Sequence, residues 1–235
     1  STVLSQSVPT YDSVGRVEVM TDTRGTTSTT DDSSTTYTYD AGDRVLTVTA
    51  SAPASGEPTQ TTTTVYDALD RVIRVDQPDA TSFYTSYFPT GEVKKTYGSR
   101  VYPTEYTYDS QGRPKTLKTW QDFNESTGTG TSGSAVTTWS YHSQRGWLTS
   151  KSYQTGGGPS YEYWPSGRLK KRNWVRSVNT QYQYNNAGDP SLVDYSDSTP
   201  DVTYTYDRRG RLIGVADAVG TRTLAYSDAG QLLDE

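Results

Sequence analysis

His142 is the single histidine of the sequence. A catalytic imidazole needs a nucleophile on one side and an orienting acid on the other, and neither Tyr141 nor Ser143 suggests such a pair, so His142 reads as a turn residue. Two acidic groups, Asp31-Asp32 and Asp194 with Asp197 and Asp201, offer the hard oxygen donors that Ca2+ takes. Neither the EF-hand spacing nor the Gly-rich nonapeptide of calcium β-rolls accompanies them, and they read as solvated loop charge. The densest basic stretch runs from Arg168 to Arg176, with Lys170, Lys171, Arg172 and Trp174 inside it and Tyr161, Tyr163 and Trp164 close by. Cations beside rings can hold an anionic polymer, an acidic protein or a glycan. Charged strands also keep sheet edges from aggregating, which is the plainer reading. Asn124-Glu125-Ser126 is a formal glycosylation sequon. No catalytic residue, metal site or cofactor is assigned, and carboxylate pairs at glycosidase separation carry little weight where every turn brings an Asp near its neighbours.

What positions these side chains is a repeat. A tyrosine followed four residues on by Gly, and then usually by Arg and an apolar residue, recurs at Tyr11, Tyr39, Tyr66, Tyr87, Tyr108, Tyr141, Tyr163, Tyr184, Tyr206 and Tyr226. Spacings of 28, 27, 21, 21, 33, 22, 21, 22 and 20 residues set a period of 20 to 22 with three insertions. The insertions fall in turn-rich stretches, 21–35, 51–63 and 121–138, and are expected to be loops. Tyr106-Thr107-Tyr108 and Tyr204-Thr205-Tyr206 alternate as strands with both rings on one face. Asp12 with Gly15, Asp109 with Gly112 and Asp207 with Gly210 then suit a type I turn closed by a residue at positive φ, which Gly adopts without a Cβ clash.

The glycine recurs as Gly91, Gly167, Gly188 and Gly230; Asp43 and Asp70 replace it after Asp40 and Asp67, and one unit inverts the order to Arg145-Gly146. Arg16, Arg44, Arg71, Arg113, Arg168 and Arg211 follow the turn, where a guanidinium can bond the turn Asp or stack on a neighbouring ring. This reads as a turn device, not a ligand site. After the next apolar residue the alternation is poor, as in Arg71-Val72-Ile73-Arg74-Val75, and the faces of the second strand stay unassigned.

Composition sets the outer bounds. Only 31% of the residues are hydrophobic, yet there are 20 Tyr and 5 Trp, so burial must come from rings with polar tips, as on half-buried sheets. Aromatic residues at 12%, spread evenly, argue against disorder. Without cysteine there is no disulfide and no thiolate nucleophile. A formal charge of -5 argues against nucleic acid as a partner, and no apolar run long enough for a spanning helix is present, so no membrane insertion is expected. The chain opens at Ser1 without a leader, which places any export signal outside it. The expected fold is all-β: one array over 1–235 of about ten tandem antiparallel β-hairpin repeats, laid into a continuous curled or spiralling sheet whose stability is collective.

With the Tyr-Asp-x-x-Gly-Arg-Leu core in view, the sequence resembles the Rhs or YD-repeat family of bacterial rearrangement-hotspot proteins, toxin-complex shell subunits and teneurin barrels. The Tyr-Asp pair itself stands at Tyr11-Asp12, Tyr39-Asp40, Tyr66-Asp67, Tyr108-Asp109 and Tyr206-Asp207, and the likeness covers nearly the whole chain. The resemblance implies a ribbon spiralled into a hollow cocoon around a toxin domain, often freed by aspartyl self-cleavage. Asp189-Pro190 runs on into Ser191-Leu192, outside the Asp-Pro-x-Gly closing signature, and the chain stops at Glu235 within a repeat. It therefore reads as a stretch of a larger array, with sheet edges covered by the rest of that array or by neighbouring copies. The expectation is a non-enzymatic shell segment of a secreted or cell-surface protein that encloses or presents another polypeptide, such as a toxin domain. The alternative is an extracellular adhesive or filament-forming repeat protein, binding glycans through exposed rings.

Overall fold

A computed structural model of the chain describes residues 6–23, 32–52 and 56–234. Parts of the first two insertions, and Asp31, lie outside the described residues. Contacts divide the chain into two units, Ser1–Thr107 with Lys118–Ser134 and Tyr108–Leu117 with Ala135–Glu235.

Runs of Thr, Val and Tyr become strands because β-branched and aromatic side chains suit the pleat. In the first unit these are β1 (Gln6–Tyr11), β2 (Val17–Thr23), β3 (Ser33–Tyr39), β4 (Val45–Ala50), β5 (Gln60–Tyr66), β6 (Val72–Asp76), β7 (Ser82–Tyr87), β8 (Val93–Gly98) and β9 (Val101–Tyr108). Each pairs antiparallel with the next. The chain continues through β10 (Pro114–Thr119), β11 (Asp122–Asn124) and β12 (Thr129–Ser132). The second unit holds β13 (Ala135–Tyr141), β14 (Leu148–Ser152), β15 (Ser160–Tyr163), β16 (Leu169–Asn173), β17 (Asn179–Tyr184), β18 (Pro190–Tyr195), β19 (Val202–Tyr206), β20 (Leu212–Asp217) and β21 (Gly220–Thr223), again paired in chain order. A separate pair, β22 (Ala225–Tyr226) and β23 (Leu232–Asp234), follows. The fold is all-β and antiparallel, and no helix occurs among the described residues.

The turn after nine of the ten repeat tyrosines is a five-residue reversal. Asp12 N–H bonds the Arg16 carbonyl at 2.8 Å and Gly15 N–H bonds the Asp12 carbonyl at 3.1 Å; the same pair of bonds recurs from Asp109 and Asp207. Asp43 and Asp70 take the glycine's place at φ 63 each, so the sequence departs from Gly there while the backbone does not. The inverted Arg145-Gly146 has a different outcome: Gly146 N–H reaches His142 O and His142 N–H reaches Trp147 O, one residue beyond the usual closure.

The register slips by one residue at the repeat tyrosine. Thr10 faces Val19 but Tyr11 faces Val17, and Val65 faces Arg74 but Tyr66 faces Val72. This β-bulge lets two residues oppose one, which is why the alternation of Val72-Ile73-Arg74 defeats a period-two reading. The third insertion, expected as a loop, contains the β11–β12 ladder. Its Gly128 and Gly130 seat against Tyr97 and Trp120, where a Cβ would lie 2.9 Å from the tyrosine hydroxyl oxygen and 2.1 Å from the indole ring. Tyr84 stacks on Tyr97 at 4.8 Å, Tyr97 meets Phe123 at 5.3 Å, and Phe123 meets Trp120 at 5.5 Å. Trp120 is the one large apolar side chain buried among the described residues, at 8% exposure.

Candidate functional site

The turn aspartate does three things with two oxygens. Oδ1 of Asp40 accepts the backbone N–H groups of Gly42 (2.8 Å) and Arg44 (3.0 Å), while Oδ2 accepts Nε of Arg44 at 2.6 Å. Asp12, Asp67, Asp109 and Asp207 repeat the pattern with Arg16, Arg71, Arg113 and Arg211. Bonds to the charged form favour it. The guanidinium of the following Arg holds Asp40, Asp67 and Asp109 below the usual carboxylate range, and the Arg backbone N–H is the leading cause for Asp12 and Asp207.

The arginine so oriented then reaches the next repeat. Arg16 lies 4.6 Å over the ring of Tyr39, Arg44 4.9 Å over Tyr66, Arg71 4.6 Å over Tyr87, Arg113 4.2 Å over Tyr141, Arg168 5.7 Å over Tyr184 and Arg211 4.9 Å over Tyr226. Four also donate to the carbonyl just past that ring: Arg16 to Asp40, Arg44 to Asp67, Arg71 to Phe88 and Arg211 to Ser227. The tyrosine returns the contact through its hydroxyl. Tyr39 donates to Val17 O at 2.7 Å, Tyr66 to Val45 O at 3.0 Å, Tyr87 to Val72 O at 2.9 Å and Tyr184 to Leu169 O at 3.0 Å. Asp, Arg and Tyr thus form one clasp joining consecutive hairpins. The sequence offered the Asp bond and the ring stack as alternatives, whereas both are made at once.

Departures from the motif change the clasp locally. Asn185 replaces Asp and Asp189 replaces Arg, and the two exchange bonds with polarity reversed, Nδ2 to Oδ2 at 3.1 Å. Trp147 stands where Arg would, 5.1 Å from the ring of Tyr163. Nδ1 of His142 accepts the N–H groups of Gln144 and Arg145 at 3.2 Å each, the task of the missing carboxylate. Beside the lengthened turn, Arg113 keeps its stack on Tyr141, but its Nη1, next to Gly146 where a Cβ would lie 2.8 Å away, has no hydrogen-bond partner.

Of the acidic residues weighed as Ca2+ ligands, Asp197 accepts from Thr199 N–H and Asp201 from Tyr195 N–H, 3.0 Å each, and among the described residues no three acidic or histidine side chains gather as a metal cluster. Asn124 of the sequon accepts from Ser126 and Thr127 inside the β11–β12 turn. The basic stretch divides. Side chains alternate along β16, so Lys171 and Arg172 leave opposite faces. Arg172 lies 3.5 Å over Trp174 while Lys170 lies 5.1 Å over Trp164. The structure therefore does not gather Lys170, Lys171, Arg172 and Trp174 into one patch. It forms instead a cleft of about 680 Å3 whose walls include Trp164, Arg168, Lys170, Gln181, Gln183 and Tyr184. The glutamines escaped sequence reading because their place beside the cations of β16 depends on register, Lys171 opposing Gln181.

No family model matches the chain, and no curated protein does. Among solved structures, TcdB2-TccC3-TEV is similar over 97% of this chain and 15% of its own, at 12% identity and a TM-score of 0.46. The Photorhabdus luminescens Tc holotoxin pore is similar over 96% and 16%, at 13% identity and a TM-score of 0.36. A porin-like protein from Bacteroides uniformis is similar over 98% and 92%, at 12% identity and a TM-score of 0.36. The chain thus spans about a sixth of the Tc chains it matches. Scores this low do not choose between such different proteins, and the functional reading rests on the chain's own residues.

Proposed function

We propose that this chain is a wall segment of a secreted or cell-surface shell, non-catalytic, that encloses or presents another polypeptide. The observation that carries the reading is a sheet without a second layer: no side chain of the described residues is fully buried, and Trp120 alone among the large apolar ones is more than nine-tenths buried. Such a sheet offers two broad faces and holds together through neighbour-to-neighbour clasps, as a wall must. The Tyr-Asp repeat, by resemblance, supports the same role. Its residues hold hairpins together, which favours a structural role over a catalytic one.

Electron microscopy of the purified parent protein tests this, together with protease protection of any co-purifying polypeptide. Closed hollow particles with a protected chain inside are the expected result. Open ribbons or filaments would sink the shell in favour of an extracellular filament or adhesin.

A further inference from the structure

We propose that the second unit docks an acidic, extended polypeptide over residues 142–184, with Lys170, Gln181 and Gln183 as contact residues. This rests on the reading of the chain as a wall that holds another polypeptide, and adds where on the wall and by what chemistry.

Residues 142–184 carry seven Lys or Arg and one acid, Glu162, a net charge of +6. The rest of the chain has fifteen cations against twenty-six acids. The cations of the first unit are largely neutralised: Arg16, Arg44, Arg71, Arg74, Lys95 and Arg100 each lie against a carboxylate. Between 142 and 184 no ion pair occurs among the described residues. Six of the seven cations lie over rings instead: Arg145 over Trp147, Lys151 over Tyr153, Arg168 over Tyr184, Lys170 over Trp164, and both Arg172 and Arg176 over Trp174. An aromatic quadrupole holds a cation in place without cancelling its charge. The segment therefore carries a net positive charge in a chain that is otherwise acidic, offset in part where Glu162 opposes Lys171, Asp194 opposes Gln181 and Asp197 faces Arg176, and the field of such a charge concentrates anionic partners.

The cleft decides what kind of anion. Gln181 and Gln183 are exposed, two residues apart on β17, so both amides leave one face of the strand. Each amide donates and accepts, as the N–H and C=O groups of an extended peptide do at the same spacing of roughly 7 Å. A sulfated or phosphorylated polymer offers mainly acceptors along its charged backbone and would leave the amide oxygens idle. Only Lys170 and Arg168 bring charge to the cleft, a density suited to carboxylates spaced along a peptide and low for a polyphosphate, which packs a charge every few ångströms. Trp164, 40% exposed, supplies an apolar shelf beside them.

Fluorescence anisotropy of the whole chain with a fluorescein-labelled peptide of alternating Glu and Gly, about twelve residues and ~40 Å when extended, is the test. A heparin oligosaccharide and oligo-dT of similar length are the competing probes. The expected result is binding of the Glu peptide and none of its Gln counterpart. Lys170→Glu should weaken binding at least tenfold, Gln183→Ala about threefold, and Arg209→Glu, on a different turn, less than twofold. Heparin or oligo-dT binding without the peptide overturns the proposal, and so does an equal loss from Arg209→Glu, which would mean attraction by net charge alone. Circular dichroism of each variant separates lost binding from lost folding, and Trp164→Ala gives a second, uncharged probe of the cleft should Lys170→Glu not fold. Hollow particles under the microscope combined with no peptide binding would remove this surface and leave the shell intact.

Discussion

At the residue scale the clasp makes separable contributions. Tyr66→Phe deletes only the hydroxyl that bonds Val45 O, and a net loss of about 1 kcal/mol is expected, read from the urea midpoint; an unchanged midpoint would remove the hydroxyl from the account. Positive φ offers a test with opposite signs. Gly210 sits at φ 78, and Val there should cost about 1–2 kcal/mol. Ala80 sits at φ 61, where a Cβ is strained, and Ala80→Gly should stabilise by about 0.5–1 kcal/mol. The carboxylates set the response to acid. Asp12, Asp40, Asp67, Asp109 and Asp207 all have lowered pKa values when folded. The unfolded chain therefore takes up protons first, and their contribution, complete at neutral pH, is lost as pH falls through and below the ordinary carboxylate range near 4. Melting temperature should drop over that window in the wild type and drop less in Asp40→Asn, whose starting value is lower.

At the element scale the unit of construction is strand, five-residue turn, bulged strand, with the arginine reaching forward and the tyrosine hydroxyl reaching back. The third insertion adds a different device. Its β11–β12 hairpin brings Phe123 onto Tyr97 and seats Gly130 on the indole of Trp120. Gly130→Ala places a methyl group where the indole already is, so the hairpin must lift. The expected readout is a red-shifted tryptophan emission, with the remaining strands still protected in hydrogen exchange. Emission unchanged from the wild type would mean the hairpin tolerates the methyl group and packs less closely than these contacts require.

At the scale of the whole molecule, stability is distributed, since among the described residues no side chain is fully buried. Each interior strand gains from two neighbours, as in one-dimensional repeat systems. Hydrogen exchange should be slowest in strands paired on both sides, β4 to β7 and β16 to β19, and fastest in the two-stranded ladders β11–β12 and β22–β23. Uniform protection over all strands would contradict neighbour coupling. An acidic chain of this kind also keeps one strongly cationic segment, residues 142–184, with a net charge of +6, so ionic strength should affect partner binding there far more than folding.

The all-β class, the tyrosine positions and the turn chemistry were legible in the residues because they are local: Tyr-x-Tyr alternates over two residues, and Asp with Gly closes a turn within five. Replacement of Gly by Asp43 and Asp70 could be seen in the sequence, and their adoption of the glycine conformation could not, since φ is imposed by the strands on either side. The faces beyond each turn were hidden by the one-residue slip at the tyrosine. Contacts between strands that the sequence separates depend on register and so emerged only in three dimensions: Arg16 on Tyr39 and Gln181 beside Lys170 in the cleft. Spacing along a chain specifies which hairpins can form, but which side chains meet is decided by the pairing of strands that the sequence separates.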